Sequence, residues 1–250
     1  MSEAQPKPEM QVVRVPVLTD NYAWLLFDPE TQEAGVVDPG EAGPVLAAAK
    51  ERGWHLSQVW LTHWHPDHVG GVKEVKQAMG ATVTGPRAEA DKIDGLDTLV
   101  DEGDVIRLAG HTASVMRVPG HTQGHVAFYF KDDGAVFTGD TLFAMGCGKL
   151  MEGTPADMFA NMQRYAAMPD ETCVYCGHEY TQGNARFAVT VEPDNQALAE
   201  RAQEVDALRS RGEPTVPTTI GQEKATNPFL RAGSVEQLAE RRAGKDAFRG

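Results

Sequence analysis

Four short apolar runs in this chain each lead into a histidine or an aspartate. VWL is followed by THWHPDH, MRVPG by His121, VFTG by Asp140 and VYCG by His178. Each run places a side chain of the metal-ligand type where a strand would end and a loop would begin. Strand ends in a layered sheet meet along one edge, so residues far apart in sequence can come together there. The pattern therefore predicts strands that converge on one polar centre.

Strand-like and helical segments alternate through the first 178 of the 250 residues. The strand-like runs are QVVRVPV, YAWLLF, AGVVD, QVWLT, ATVTG, ASVMRV, VAFYF, AVFTG and TCVYC. Helical spacing is found at Glu41–Arg52, Val69–Met79 and Pro155–Ala167. Strands mixed with helices predict an α+β domain in which helices cover the sheets.

The pattern changes near residue 179, after which helical spacing dominates. Glu192–Arg211 has Asn195 as an N-cap, and Ser234–Phe248 has Ser234 as N-cap with Gln237 in the position of a capping box. We therefore expect two domains, a β-rich one over residues 1–178 and a small α-helical one over residues 179–250.

Charge and composition exclude several classes of protein. The net charge of -13 argues against a nucleic-acid partner, whose phosphates require a basic surface. The chain has no run of about 18 apolar residues, so we expect no membrane span. The opening MSEAQPKPEM has no apolar core of a secretory signal and predicts a short disordered tail.

Cysteine usage indicates a reducing compartment. The chain has three cysteines, an odd number that argues against a disulfide framework and for a cytoplasmic protein. Cys173 and Cys176 match the C-x-x-C spacing of a redox pair, but the apolar TCVYC run favours buried strand thiols.

The ligand-type residues are too many for one metal ion. The candidates are His63, His65, Asp67, His68, His121, Asp140 and His178. A catalytic zinc takes about three protein ligands and a water, so seven suit two ions bridged by one carboxylate. Imidazole and carboxylate without thiolate fit zinc, iron or manganese. The alternative is that these are scattered surface or core side chains.

The other three histidines carry weaker signals. His55 precedes a strand and is expected at the surface, while His111 and His125 are expected to form hydrogen bonds. His125 lies four residues after His121 and is a candidate support for the metal ligands.

THWHPDH, together with the downstream PGHT, GDT and GH segments, resembles the T-H-x-H-x-D-H signature of the metallo-β-lactamase superfamily. That resemblance implies a four-layered αββα sandwich with the metals at one edge of the two sheets. It does not specify the substrate, because this fold supports many chemistries.

Longer segments narrow the resemblance to one branch. PVLTDNYAWLLFD, GDTLFAMGCGKLMEGT, CGHEYTQGNARFA, NPFLR and RAGKDAF are similar to the glyoxalase II (hydroxyacylglutathione hydrolase) family. With the helical C-terminal part, this resemblance covers nearly the whole chain.

The resemblance implies a role for each candidate. One metal is assigned to His63, His65 and His121, the other to Asp67, His68 and His178, with Asp140 as the bridge. We expect zinc, with iron or manganese as alternatives. Lys149, Tyr180, Arg242 and Lys245 are assigned to the glutathione moiety. Met151 departs from the family pattern, in which a tyrosine often contacts glutathione at this position, so affinity or acyl preference is expected to differ.

The implied reaction is hydrolysis of S-(2-hydroxyacyl)glutathione thioesters, chiefly S-D-lactoylglutathione to D-lactate and glutathione, as in methylglyoxal detoxification. The nucleophile would be a hydroxide between the two metals, and Asp67 and Asp140 are the expected catalytic residues. We expect a monomer acting on a small molecule.

Three alternatives remain open at this point. A generic thioesterase or lactonase would keep the metal ligands but has no reason to carry Lys149, Tyr180 and the RxxKDxF tail. A persulfide dioxygenase of the same fold would use iron and oxygen. A binding or scaffolding protein on an inactivated fold typically loses ligands, whereas all seven are present here.

Overall fold

The structure is a computed structural model that describes residues 9–250. Most of the expected N-terminal tail, residues 1–8, therefore lies outside the described residues. The last tail position is part of the fold, because Met10 packs among the side chains between the two sheets. Burial of this apolar side chain is favourable, so Met10 is held in the core instead of remaining in a free tail.

The first sheet has six strands, ordered along the chain. They are β1 (Gln11–Val17), β2 (Asn21–Phe27), β3 (Ala34–Val37), β4 (Leu56–Trp60), β5 (Thr82–Pro86) and β6 (Thr98–Val100). The first three strands pair antiparallel, and β3 to β6 run parallel. Every residue of β2 is buried, as expected for a strand covered on both faces.

The second sheet also has six strands, in the order β14-β13-β10-β9-β8-β7. They are β7 (Val105–Leu108), β8 (His111–Arg117), β9 (Val126–Phe130), β10 (Ala135–Gly139), β13 (Cys173–Cys176) and β14 (Thr218–Thr219). A separate hairpin is formed by β11 (Leu142–Phe143) and β12 (Gly146–Cys147). Strands β8 and β10 are both antiparallel to β9, and β10 is parallel to β13, so β8, β10 and β13 end at the same edge.

Within residues 9–250, eight α-helices connect and cover the sheets. They are α1 (Ala42–Arg52), α2 (Pro66–Val69), α3 (Val72–Met79), α4 (Pro155–Ala166), α5 (Thr181–Val191), α6 (Gln196–Ser210), α7 (Ile220–Thr226) and α8 (Val235–Ala247). Among the residues described, no helix combines the length and the apolar character needed to cross a membrane.

Three apolar layers hold the sandwich together. Trp24, Trp60, Phe128 and Phe137 belong to the cluster between the sheets. A second cluster joins the first sheet to α1 and α3, and a third joins the second sheet to α4, α7 and α8. Helices therefore cover both outer faces, which confirms the expected four-layered αββα sandwich followed by a helical C-terminal region.

The predicted helix over Val69–Met79 is divided in two in the structure. Helix α2 ends at Val69 and α3 begins at Val72. Gly71 lies against the loop before α1, where an added Cβ would stand 2.6 Å from the carbonyl oxygen of Pro39. The apolar spacing predicted one helix, but the backbone N–H of Gly71 donates to the carbonyl oxygen of Pro39 at 2.9 Å, which interrupts the helical hydrogen bonds at this point.

The helix starts in the C-terminal region agree with the sequence. The side chain of Asn195 accepts a hydrogen bond from Leu198 N, and that of Ser234 accepts one from Gln237 N. The capping box at α8 is incomplete, because the Gln237 side chain accepts from the backbone N–H of Gly233 instead of that of Ser234.

The C-terminal region also contains elements that the sequence did not predict. Helices α5 and α7 were missed, and β14 joins the edge of the second sheet. Apolar side chains of this region, among them Phe229 and Leu238, share one cluster with Met158 and Met162 of α4. The helical region and the sandwich are therefore joined by a common core.

The cysteines are all free. Cys173 is half-buried and Cys176 is buried at the two ends of β13. Residues three positions apart on a strand face opposite sides, which argues against a redox pair and agrees with strand thiols.

Candidate metal centre

The strand ends carry the candidate ligands to one place. His63 follows β4 of the first sheet, and His121, Asp140 and His178 follow β8, β10 and β13 of the second. Because those three strands end at one edge and β4 packs across from them, the four side chains meet. Asp67 is added by the short helix α2.

Three imidazoles form the first cluster. His63 Nε2 lies 3.1 Å from His65 Nδ1, and His121 Nε2 lies 2.9 Å from the same atom. His63 and His121 are buried and His65 is partly exposed. All three ligand atoms lie within 4.8 Å of one another.

Two imidazoles and a carboxylate form the second cluster. Asp67 Oδ2 lies 3.3 Å from His178 Nε2 and 3.6 Å from His68 Nε2, and the two imidazole nitrogens are 3.4 Å apart. The three ligand atoms of this group also lie within 4.8 Å of one another, close enough to share one ion.

Asp140 lies between the clusters. Its Oδ2 is 3.4 Å from His121 Nε2 and 3.2 Å from His178 Nε2, and its Oδ1 is 3.3 Å from His68 Nε2. Oδ1 is buried and has no hydrogen-bond partner. Ligands 2.0–2.1 Å from a tetrahedral ion are about 3.3 Å apart, so this donor set fits two divalent ions with Asp140 facing both.

Two carboxylates, the buried Asp38 and the partly exposed Asp20, orient two of the ligands. His68 Nδ1 lies 3.0 Å from Asp38 Oδ2, and His178 Nδ1 lies 3.0 Å from Asp20 Oδ1. A proton held on Nδ1 leaves Nε2 free for a metal, which is the usual role of such a partner. Sequence reasoning missed Asp20 and Asp38, although each lies directly after or near a strand-like run.

Uncharged partners orient two further ligands. His121 Nδ1 donates to the carbonyl oxygen of Lys149 at 2.9 Å. His63 Nδ1 lies 3.0 Å from the hydroxyl of Thr62, which itself donates to Asp38. In both rings Nε2 is directed to the centre.

Asn21 was also missed by the sequence reading. Its side-chain amide donates to Asp67 Oδ2 at 2.8 Å and approaches His178 Nε2 at 3.4 Å. Asn21 follows Asp20 in the TDNY segment. The only local sign of a function there is that the segment lies at the start of a strand. Asn21 restricts how Asp67 can turn.

The charges at the centre support its affinity for cations. Burial alone would raise the pKa of Asp140, but the neighbouring His68 and His178 hold that pKa well below its usual range. The pKa of Asp67 is also lowered, chiefly by its hydrogen bond with His178. Burial lowers the pKa of His63, which favours the neutral imidazole that binds metal.

The remaining histidines lie where the sequence suggested. His125 stacks on His63 with ring centres 4.6 Å apart, and its Nε2 accepts the backbone N–H of Asp140 at 3.1 Å. It therefore supports the ligands without joining a cluster. His55 is exposed. His111 lies 2.7 Å from Asp133 at the start of β8, the opposite end of that strand from His121.

A cavity of about 400 Å³ lies beside the metal centre. Its lining residues are Phe143, Cys147, Lys149, Glu179, Tyr180, Gln182, Gly183, Asn184, Arg209, Arg242, Lys245 and Asp246. The structure thus brings together the four residues that the resemblance assigned to glutathione. Arg209 and Glu179 were not anticipated.

The cavity adjoins the metal centre through Tyr180. Its ring is stacked on that of His178, with centres 4.4 Å apart and planes 8° from parallel. The cavity and the second histidine cluster therefore lie on either side of one shared residue, Tyr180.

The two cations of α8 differ in their availability. Arg242 is buried and donates to the carbonyl oxygen of Cys147 at 2.7 Å and to Asp246 at 2.9 Å. Lys245 donates to the carbonyl oxygen of Gly183 at 2.6 Å, and its ammonium group keeps two further protons for a ligand. Both side chains line the cavity, as their i, i+3 spacing predicts.

Family models match nearly the whole chain. Residues 19–178 match the metallo-β-lactamase superfamily, and residues 179–249 match the hydroxyacylglutathione hydrolase C-terminus. The hydroxyacylglutathione hydrolase of Methylococcus capsulatus is 49% identical, with 96% of this chain and 100% of that protein aligned. That of Pseudomonas fluorescens is 50% identical over 95% of this chain and 92% of the relative.

Solved structures share the fold. ETHE1 from Myxococcus xanthus superposes with a TM-score of 0.73 at 25% identity, covering 96% of this chain and 92% of that one. TTHA1623 in a di-iron-bound form gives 0.64 at 27% identity, covering 88% and 99%. The fold and the histidine–aspartate clusters together indicate a dinuclear metal site. By its matches over both regions, this chain belongs to the hydroxyacylglutathione hydrolase family of the metallo-β-lactamase superfamily.

Proposed function

We propose that this chain hydrolyses S-(2-hydroxyacyl)glutathione thioesters, chiefly S-D-lactoylglutathione, to D-lactate and glutathione. The observation that carries the proposal is the cation-lined cavity that adjoins a dinuclear metal centre through Tyr180 and His178. The names of the relatives, which align along nearly their whole length, support the same activity.

The metal assignment follows from the two clusters. His63, His65 and His121 would hold one ion, Asp67, His68 and His178 the other, and Asp140 would bridge them. We propose zinc, with iron or manganese as alternatives, because the donors are imidazole and carboxylate only. Two such ions would supply Lewis acidity, which makes water nucleophilic near neutral pH and stabilises negative charge on the thioester oxygen.

The catalytic residues proposed in this chain are Asp67 and Asp140. Both keep low carboxyl pKa values and so remain ionised at neutral pH. Asn21 fixes one oxygen of Asp67, which leaves that carboxylate able to orient an attacking water. The buried contacts of Asp140 hold it in one position during turnover, so no reorganisation is needed there.

The cavity would bind the glutathione portion of the substrate. Glutathione carries two carboxylates and one ammonium group, and Lys149, Arg242 and Lys245 offer positive charge to the carboxylates. The chain as a whole is acidic, so these local cations must overcome an unfavourable overall field. Tyr180 would place the thioester next to His178.

The leaving group places few demands on the protein. A thiolate has a pKa of about 8.5, so it can depart without a strong general acid. The product glutathione is then held only by the cavity.

The first experiment compares two thioesters of D-lactate. One is S-D-lactoylglutathione, and the other joins the same acyl group to a short thiol without the peptide. We expect rapid loss of thioester absorbance only with the first. Equal, slow turnover of both would contradict glutathione specificity and favour a generic thioesterase, and oxygen uptake with glutathione persulfide would favour a dioxygenase.

We further propose that the protein acts as a monomer in the cytoplasm. Every candidate side chain of the centre and the cavity comes from a single chain, so no second copy is needed to complete the site. Free thiols are typical of a reducing compartment. Light scattering of the purified protein tests the monomer, and a dimer would contradict it.

A further inference from the structure

The segment 148–153 contacts both the cavity and the first histidine cluster. It follows β12 and precedes α4, and it carries Lys149, whose side chain lines the cavity. The carbonyl oxygen of the same residue accepts the Nδ1 proton of His121 at 2.9 Å. One short piece of chain thus contacts both the candidate ligand and the candidate substrate site.

Glu152 ties this segment to its surroundings. One carboxylate oxygen accepts from Lys92 Nζ at 2.9 Å and from Trp64 Nε1 at 3.2 Å. The other accepts the backbone N–H of Gln123 at 2.8 Å, and the Gln123 side chain donates back to the Glu152 carbonyl at 2.8 Å. The side chain is only 25% exposed, so these bonds are partly shielded from solvent.

Two of the three partners of Glu152, Trp64 and Gln123, belong to the loops that carry the first histidine cluster. Trp64 stands between His63 and His65 in the chain, and its ring meets that of His65 edge-on at 4.6 Å. Gln123 comes two residues after His121. Lys92 lies outside these loops and contacts both Glu152 and Trp64, with its ammonium group 4.8 Å from the centre of the Trp64 ring.

We propose that Glu152 is a positioning residue that holds Lys149 at a fixed distance from the metal centre. This inference rests on the proposed function, in which Lys149 binds a glutathione carboxylate. An isolated surface ion pair contributes little, but Glu152 joins three separate segments through charge-assisted hydrogen bonds. Without its carboxylate, segment 148–153 keeps the hydrogen bond from the Gln123 side chain to the carbonyl oxygen of residue 152 but loses the bonds to Trp64, Lys92 and the Gln123 backbone.

The test is a double-mutant cycle with Lys149. Glu152→Ala is expected to raise KM for S-D-lactoylglutathione about tenfold, the effect of losing one or two charged hydrogen bonds. The peptide-free lactoyl thioester should be turned over within about twofold of the parent rate, because its binding does not use Lys149. In a Lys149→Ala background, Glu152→Ala should add less than about a twofold change.

Two results would overturn the proposal. Additive effects of the two substitutions would show that Glu152 does not act through Lys149. An equal loss of activity on both thioesters would show a general structural role.

A matched control is available at Glu102. Its carboxylate also accepts a backbone N–H, that of Arg117 at 2.7 Å, and a cation, Arg164 Nη2 at 2.8 Å. It lies outside the cavity lining and the histidine clusters. Glu102→Gln should leave KM unchanged, and a rise like that of the Glu152 variant would contradict a specific effect.

Milder variants keep the test valid if Glu152→Ala does not fold. Glu152→Gln retains one acceptor oxygen, and Lys92→Met removes one partner, so each should raise KM by a smaller factor. No change in either variant would overturn the proposal.

Binding of S-methylglutathione separates this proposal from the proposed function. Calorimetry should give a Kd about tenfold weaker for the Glu152 variants, whether or not the thioester is hydrolysed. If the parent protein binds this thioether but hydrolyses nothing, the proposed function fails while the Kd ratio still decides the role of Glu152. If it does not bind, both fail.

Discussion

Asp140 contacts side chains of both histidine clusters through its carboxylate. Replacing it by alanine removes the only carboxylate within 3.5 Å of His121 among the described residues and takes one carboxylate contact from each of His68 and His178. We expect Asp140→Ala to lose at least one of two bound metals per chain and to lower kcat by at least about 100-fold. Elemental analysis and turnover of the same sample measure both effects.

Asp97→Ala is the control for Asp140→Ala, because it removes the same side chain away from the metal centre. Asp97 pairs with Lys76 at 2.6 Å in a partly exposed position, so Asp97→Ala should keep the metals and the activity. Two ions and full activity in the Asp140 variant would contradict its bridging role.

Lys245 makes substrate affinity depend on pH. Burial, aided by the nearby Arg242, lowers the pKa of its ammonium group below the ordinary value of 10.5, and Asp246 opposes this only in part. As pH rises through that lowered pKa, the positive charge is lost and a carboxylate is bound less well. We therefore expect KM for S-D-lactoylglutathione to rise about tenfold toward high pH, with its onset below pH 10.5. Initial rates between pH 7 and 10.5, corrected for spontaneous thioester hydrolysis, measure this.

Other ionisable side chains line the same cavity and also act on a bound carboxylate. They are Lys149, Glu179, Tyr180, Arg209, Arg242 and Asp246. Lys245→Arg separates their effects, because arginine stays charged over this range. The variant should show a flat KM, and an unchanged rise would contradict the assignment to Lys245.

Helix α7 fixes the hairpin that forms one wall of the cavity. Glu223 on its first turn is buried and accepts the backbone N–H of Met145 at 2.7 Å and the Asn227 amide at 2.9 Å. The Thr218 hydroxyl donates to its other oxygen at 2.7 Å. The hairpin thus depends on a side chain more than 70 residues away.

Glu223→Ala would leave these buried donors without a partner. We expect the free energy of unfolding to fall by about 2–4 kcal/mol, the cost of one or two unsatisfied buried groups. Glu223→Gln keeps an acceptor oxygen and should cost less than half as much. Urea unfolding measures both, and equal stability of the alanine variant and the parent would contradict the role of Glu223.

The positions of the strands in the sequence made most of the candidate metal ligands predictable. A histidine or aspartate after each apolar run is a local signal, and common strand direction brings those ends together at one edge. Helix α5 and strand β14 were missed for the opposite reason. The sequence TQGNARFAVTV contains glycine and β-branched residues that weaken the helical signal, and only packing against neighbours stabilises it.

The apolar core crosses the boundary at residue 178. We propose that residues 1–178 and 179–250 are two domains in the sense of function, the first holding the metals and the second completing the glutathione cavity. Phe229 and Leu238 nevertheless pack with Met158 and Met162 in a single cluster. Separating the regions would expose both sides of that cluster to water.

We therefore expect the whole chain to unfold in one step. All four tryptophans lie within the first 64 residues, whereas five of the eight helices begin after residue 154. Tryptophan fluorescence and far-UV circular dichroism thus report different parts of the molecule. Their urea transitions should share a midpoint within about 0.2 M. An earlier loss of helical signal would instead show that the C-terminal region unfolds independently.

The sequence by itself determined an α+β arrangement of strands and helices and the seven candidate ligands, because apolar runs form strands and polar residues follow their ends. The four-layered sandwich and the roles of Lys149, Arg242 and Lys245 were implied by the resemblance to a known family. Only the tertiary structure decided which groups support them. Asp20, Asp38, Asn21 and Glu152 act through partners distant in sequence, so the chain around each of them looks like any polar loop. The tertiary structure also decided how many donors of Arg242 are left for a ligand. Its guanidinium group donates to the carbonyl oxygen of Cys147 only once α8 has packed against the sandwich, and it also donates to Asp246.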